Sequence, residues 1–199
     1  MSRGYAAPSG LDQATGSMAA ASRGLRYTRT AILLHWTIAV LMLTAIPLGL
    51  YSANYEGVLS ATLTNVHKVV GIAILALTLF RIAWRLLHRP PPLPEAMRPL
   101  LRVLAKATHV LFYAMLLVMP LSGWWMTSAF PKRHPFGILG MVEIPFLPVP
   151  LSMAAAGRAH AIHQYLGWGI IGLIVLHVAA ALKHQFVERD DILRRMLGT

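Results

Sequence analysis

An all-α membrane protein, a four-helix transmembrane bundle with both termini in the cytoplasm, is the fold class this sequence predicts, and three observations predict it. Of the 199 residues, 56% are hydrophobic and only 13% charged, with a mean hydropathy of +0.58. That is too apolar for a domain whose whole surface meets water. Four apolar runs, at residues 31–51, 66–87, 108–130 and 163–186, each reach the roughly 20 residues that cross a hydrocarbon core of about 30 Å. The basic residues, finally, divide unequally between the two sides those runs define. Lys68, Lys132, Arg133 and Arg158 fall on one side and the remaining fourteen of eighteen Lys and Arg on the other, which the positive-inside rule makes the cytoplasm.

In chain order, residues 1–27 are rich in Ser, Gly and Ala without period and read as a disordered cytoplasmic tail. They lack the apolar segment of a secretory signal. Residues 28–199 form one domain. Its first and third helices run outward, its second and fourth inward. The second ends at His88-Arg89-Pro90-Pro91-Pro92, a stiff extended stretch that cannot continue a helix, and the chain becomes amphipathic around residues 100–104. The external stretch 130–157 mixes five prolines with Ile144, Phe146 and Leu147 and is expected to lie on the membrane face as a lid. A net charge of +11 suits an anionic lipid surface. Nucleic acid is not expected, because the basic residues are interleaved with the apolar runs and form no separate polar domain.

The chain has no cysteine, which excludes disulfides, thiolate-held iron–sulfur clusters and covalent c-type haem. A redox cofactor must then be held by histidine, methionine or carboxylate. The ten methionines are scattered and read as gap-fillers, with one axial methionine the alternative. Histidines inside spans are rare and functional by default, and His35, His67, His109, His163 and His177 lie in or at the ends of the apolar runs. Each alone admits a plainer explanation, a core imidazole satisfied by a backbone carbonyl.

Spacing sharpens the case. His163 and His177 are separated by a rise of about 21 Å and a rotation within about 40° of whole turns, so both face one way at two depths. No single ion can bind both, since metal–nitrogen bonds are about 2.0–2.1 Å; two stacked cofactors can. The orientation puts His35 at the depth of His177 and His67 at the depth of His163, one pair per leaflet. A porphyrin lying on a helix needs a small residue four positions on, on the same face. Ala39, Gly71, Gly167 and Ala181 supply it after His35, His67, His163 and His177, whereas Tyr113 follows His109.

Leu34-His35-Trp36, His67-x-x-x-Gly71, His163-x-x-x-Gly167 and the step to His177 resemble the bacterial cytochrome b561 family, which includes the membrane cytochrome b subunits of nickel hydrogenases and formate dehydrogenases. The resemblance covers roughly residues 26–197. It implies two haem b groups, with iron ligated by His35, His67, His163 and His177, in a multi-pass protein of the bacterial inner membrane. Stand-alone members are most similar in length, and that branch includes a superoxide:ubiquinone oxidoreductase. The tail before Arg23 is longer than the family leads one to expect.

Haem propionates need cationic partners at the interfaces: Arg81 and Arg85 for the inner haem, Lys68 and Arg158 for the outer. The alternative for each is topological, since helix ends attract basic residues anyway. His184, about 10 Å beyond His177 and within about 20° of its face, reads first as an ordinary interfacial histidine and second as a contact for quinone. The expected function is an oxidoreductase that passes electrons between an external donor, such as superoxide, and ubiquinone. The alternative is a haem-bearing anchor for a partner dehydrogenase or hydrogenase. A proton or metal transporter is weaker, because all seven acids fall outside the apolar cores, leaving no carboxylate relay.

Overall fold

Helix α1 (Arg29–Asn54) starts where the Thr28 hydroxyl accepts the amide of Ala31 at 3.2 Å, filling one of the donors that a helix start leaves open. In this computed structural model, which describes residues 27–92, 97–138 and 142–198, three more long helices follow. The expected N-terminal tail, Tyr27 apart, lies outside the described residues. A short turn through Gly57, at φ 106, leads into α2 (Val58–Leu87). Few residues other than glycine take that backbone angle. Proline begins α3 (Pro99–Ala129), where its missing N–H costs nothing, and Ser152 caps α4 (Met153–Lys183) through the Ala155 amide.

All four helices are long and apolar enough to cross a membrane. They also outrun the apolar runs: α2 begins at Val58, α3 at Pro99 and α4 at Met153. Apolarity stops at the edge of the hydrocarbon, but a backbone already paired gains nothing by unwinding there. At about 1.5 Å per residue, such helices span roughly 40–45 Å, the core together with its headgroup layers. The amphipathic residues 100–104 are accordingly the first turns of α3 and not a separate surface segment.

Close packing joins α1 to α2, α2 to α3 and α3 to α4, while α4 stands off from both α1 and α2. Mid-bundle, Ile38, Ala45, Ile74, Leu116 and Ile170 are buried together, with Val70, Met115 and Met119 against them. The outward faces, among them Leu33, Val110 and Tyr165, are exposed and apolar, as lipid requires.

At the terminal end of the bundle, where α1 begins and α4 finishes, α4 runs into a π-turn (His184–Glu188), and Arg189 at φ 53 reverses the chain into α5 (Ile192–Leu197). Trp36 Nε1 donates to the Met196 carbonyl at 2.9 Å, and Arg195 to that of Pro92 at 3.2 Å. At the far end, the stretch expected as a lid carries a small antiparallel hairpin, Gly137–Ile138 with Val142–Glu143, the one departure from all-α structure among the described residues. It is pinned to α2 by two bonds between the Asn65 amide and the Gly137 backbone, 3.2 and 3.3 Å. Trp124 donates to the Pro145 carbonyl and the Leu147 amide to Ser128 Oγ, each at 2.9 Å. Phe136 is buried beneath the hairpin.

Candidate functional site

Toward the far end, His67 on α2 and His163 on α4 face one another, ring centres 6.0 Å apart and planes crossing at 86°. Neither ring is free to turn. His67 Nδ1–H donates to the Ala45 carbonyl on α1 at 2.9 Å. His163 Nδ1–H lies 3.1 Å from the Met119 carbonyl and 3.0 Å from Ser122 Oγ on α3, and the Ser122 hydroxyl itself donates to Met119 at 2.6 Å. With Nδ1 engaged, Nε2 carries the lone pair in each ring, the tautomer a metal ligand needs.

Toward the terminal end, His35 on α1 and His177 on α4 are 6.3 Å apart. Here the structure adds a third imidazole. His109, which the residue at the fourth position after it had set aside, lies 5.8 Å from His177, with Nδ1 donating to its own Ala105 carbonyl at 2.6 Å. Phe112 packs on His177 at 5.1 Å. Arg81 spans the layer: Nη1 donates to the Ala31 carbonyl, Nε to Tyr113 Oη, and Nη2 lies 3.5 Å from His35 Nδ1. His35 Nδ1 can accept from Arg81 only in the tautomer with its proton on Nε2, whereas a ring holding iron through Nε2 would carry its proton on Nδ1 and would need Arg81 to turn aside.

These arrangements fit a haem. Two imidazoles sharing one iron stand about 6 Å apart, about 2 Å for each metal–nitrogen bond and about 1 Å from each nitrogen to its ring centre. The helices that carry the pairs, α2 with α4 and α1 with α4, are among those that do not pack closely, which leaves width between them. A methyl group added at Gly71 would meet nothing within 4 Å, and at Gly167 only the flexible end of Met119 at 3.4 Å. Both flank the far-end pair as open seats. Thr78, wholly buried one turn from Arg81, has a hydroxyl oxygen with no partner.

The charged residues are distributed less simply. Lys68 is half-buried with its ammonium 5.4 Å over the Phe136 ring, and Arg158 is exposed. Arg133 is occupied by the Ser128 carbonyl at 2.7 Å and the Phe146 ring. Arg85 lies 5.7 Å over the Tyr113 ring, in a cleft it shares with Tyr27, Trp84 and Arg81. His184 sits in the π-turn with Nδ1 2.7 Å from Glu188 and 2.6 Å from Asp190. Lys183 also holds Glu188, at 2.7 Å, and the Ile192 amide bonds Asp190 at 3.1 Å. These donors are spent on one another and form a closed polar knot, not an open cation site. Sequence reasoning missed Ser122, the Ala45 and Met119 carbonyls, and two glycines, Gly49 and Gly123, that touch the far-end rings.

Comparison with known proteins identifies the family. The family model described as prokaryotic cytochrome b561 matches residues 26–199. The chain is 33% identical over 181 residues to cytochrome b561 homolog 2 of Escherichia coli (strain K12), covering 87% of this chain and 92% of that protein. It is 30% identical to cytochrome b562 of Cereibacter sphaeroides, covering 86% and 94%. Against the probable superoxide oxidase CybB of Yersinia pestis the identity is 26%, covering 86% and 96%. Four apolar spans, histidines paired inside them and a match across nearly all of the described residues lead to one conclusion: this chain belongs to the prokaryotic cytochrome b561 family, haem-b oxidoreductases that carry electrons within the bacterial inner membrane.

Proposed function

We propose that the protein moves electrons one at a time across the bilayer, from a small external donor, with superoxide the foremost candidate, to ubiquinone at the cytoplasmic face. The observation that carries this reading is the pair of histidine couples at two depths, 6.0 and 6.3 Å between ring centres, on helices that stand apart. In this reading His67 and His163 hold one haem b, and His35 and His177 a second. Bound there, the two haems supply a one-electron carrier in each leaflet. The terminal end is cytoplasmic, as the division of Lys and Arg favours. Arg81 and Arg85 face the inner propionates, Lys68 and Arg158 the outer ones.

Around the outer pair, Lys68, Lys132, Arg133 and Arg158 outnumber Glu56 and Glu143, so the face attracts an anion. A relative printed as a probable superoxide oxidase favours the same donor. At the inner side, His184, its Nδ1 held by Glu188 and Asp190, offers its other nitrogen to a quinone beside Arg85. Two superoxide ions each release one electron and leave as dioxygen; ubiquinone takes both electrons and two protons to become the quinol.

The test is to mix purified protein with ubiquinone and a superoxide source. Haem reduction followed by quinol formation is expected from this chain alone. An anchor subunit would need its dehydrogenase or hydrogenase partner for turnover, and absence of turnover in the isolated protein overturns the stand-alone reading.

A further inference from the structure

We infer that Gly49 and Gly123 are positioning residues for the outer haem, holding the planes of its two imidazoles and through them its electronic character. This rests on the assignment of His67 and His163 as that haem's ligands. A Cβ at Gly49 would lie 2.9 Å from Cε1 and 3.2 Å from Nδ1 of His67; at Gly123 it would lie 3.1 and 3.3 Å from the same atoms of His163. Both are tighter than ordinary van der Waals contact. Among the glycines of the described residues, only these two have a histidine against them.

The two seats follow one plan. Gly49 lies four residues after Ala45, whose carbonyl accepts from His67, and Gly123 four residues after Met119, whose carbonyl accepts from His163. Four residues is one helical turn, so each ring is bonded to one turn of the neighbouring helix and rests flush on the bare Cα of the next. A hydrogen bond alone lets a ring pivot about the bond; the glycine contact stops the pivot. α1 and α3 use this arrangement separately, and the result is two rings crossed at 86°.

That crossing has an electronic consequence. Each imidazole donates π density to the iron d orbital perpendicular to its own plane. Planes at right angles load the two orbitals equally and leave them nearly degenerate, which gives low-spin ferric iron a strongly anisotropic paramagnetic resonance. Rings nearer to parallel split the orbitals and reduce the anisotropy. Close packing of helices is the other use of glycine in membranes, but it has no reason to act on one haem's spectrum alone.

The experiment uses the full-length, haem-loaded protein with Gly49→Ala, Gly123→Ala and, on the lipid-exposed face of α4 where a Cβ meets nothing within 4 Å, Gly172→Ala. To restore ordinary contact His67 must retreat by about 0.5 Å and His163 by about 0.3 Å, and displacements of this order are what ligand sites tolerate poorly. The expected result is a less anisotropic outer-haem resonance and retention of that haem weakened on the order of tenfold, as for other residues that orient metal ligands. Gly49→Ala should be the more severe, with the inner haem and Gly172→Ala unchanged. If Gly49→Ala does not accumulate, the gentler Gly123→Ala decides by itself. An unaltered outer-haem resonance in these variants, or equal change at both haems, overturns the inference while leaving the ligands in place. Retention of the outer haem in His67→Ala refutes the ligand assignment itself.

Discussion

Removing one imidazole from the terminal-end layer asks which of three histidines shares the inner iron. His35 stands 6.3 Å from His177 and His109 stands 5.8 Å from it. A shared iron calls for ring centres about 6 Å apart, each nitrogen about 2 Å from the metal, so distance leaves both eligible. Two further facts favour His35. Tyr113 fills the turn after His109, with its hydroxyl bonded to Arg81, whereas Ala39 leaves that turn of α1 clear for a porphyrin face. His109 also belongs to α3, which packs closely on α4, and the haem needs the wider opening between α1 and α4. His35→Ala is therefore expected to lower the haem content of purified protein from about two per chain to about one, because iron with a single axial imidazole is held loosely; His177→Ala should do the same. His109→Ala should keep both. The assay is haem by pyridine haemochrome against protein by amino-acid analysis, with the outer haem as an internal standard for folding. A haem lost in His109→Ala and two kept in His35→Ala would refute the pairing and make His109 the ligand.

Three more outcomes follow from contacts described above. Neutralising Lys68 and Arg158 together as Lys68→Gln and Arg158→Gln should slow haem reduction by an anionic donor severalfold at low salt and flatten its salt dependence, since the attraction is screened over about 8–10 Å at physiological ionic strength. Reduction by quinol should hardly change, and an equal fall in both rates counts against an external donor. Asn65→Ala removes both bonds that tie the hairpin to α2, about 1 kcal/mol each. Amide exchange at residues 136–138 and 142–144 should then accelerate on the order of tenfold or more, and unchanged exchange would mean the hairpin is held elsewhere. Trp36→Phe deletes the bond to the Met196 carbonyl, again about 1 kcal/mol, so tryptic cleavage at Arg194 and Arg195 should quicken about fivefold if α5 is docked through it.

The four spans were legible because twenty apolar residues in a row have few uses besides crossing a membrane. Their ends were not, because helical pairing persists where hydropathy has already fallen, as at Val58 and Pro99. The four paired histidines could be singled out since depth and rotation are arithmetic on a single helix and orientation supplies the rest. His109 marks the limit of that method. The small-residue test examines the turn beside a histidine on its own helix, and it cannot register that α3 carries His109 to the side of His177. Gly49 and Gly123 were invisible for the same reason: each touches a ring on another helix, and nothing in the local pattern announces it. The closed knot around His184 depends on a π-turn and a left-handed Arg189, whose i→i+5 geometry has no periodic signature.

Ile38, Ile74, Leu116 and Ile170, buried between the two histidine layers, form an apolar septum in the middle of the bundle. Ile170 lies midway along α4, about 10 Å from either histidine. An electron tunnels through packed hydrocarbon over such a span, whereas a proton needs an unbroken file of water or hydroxyl groups to hop along. In the proposed path such a septum would pass electrons and hold back protons. In the proposed direction, electrons passing inward would add to the voltage across the membrane without carrying protons through the septum.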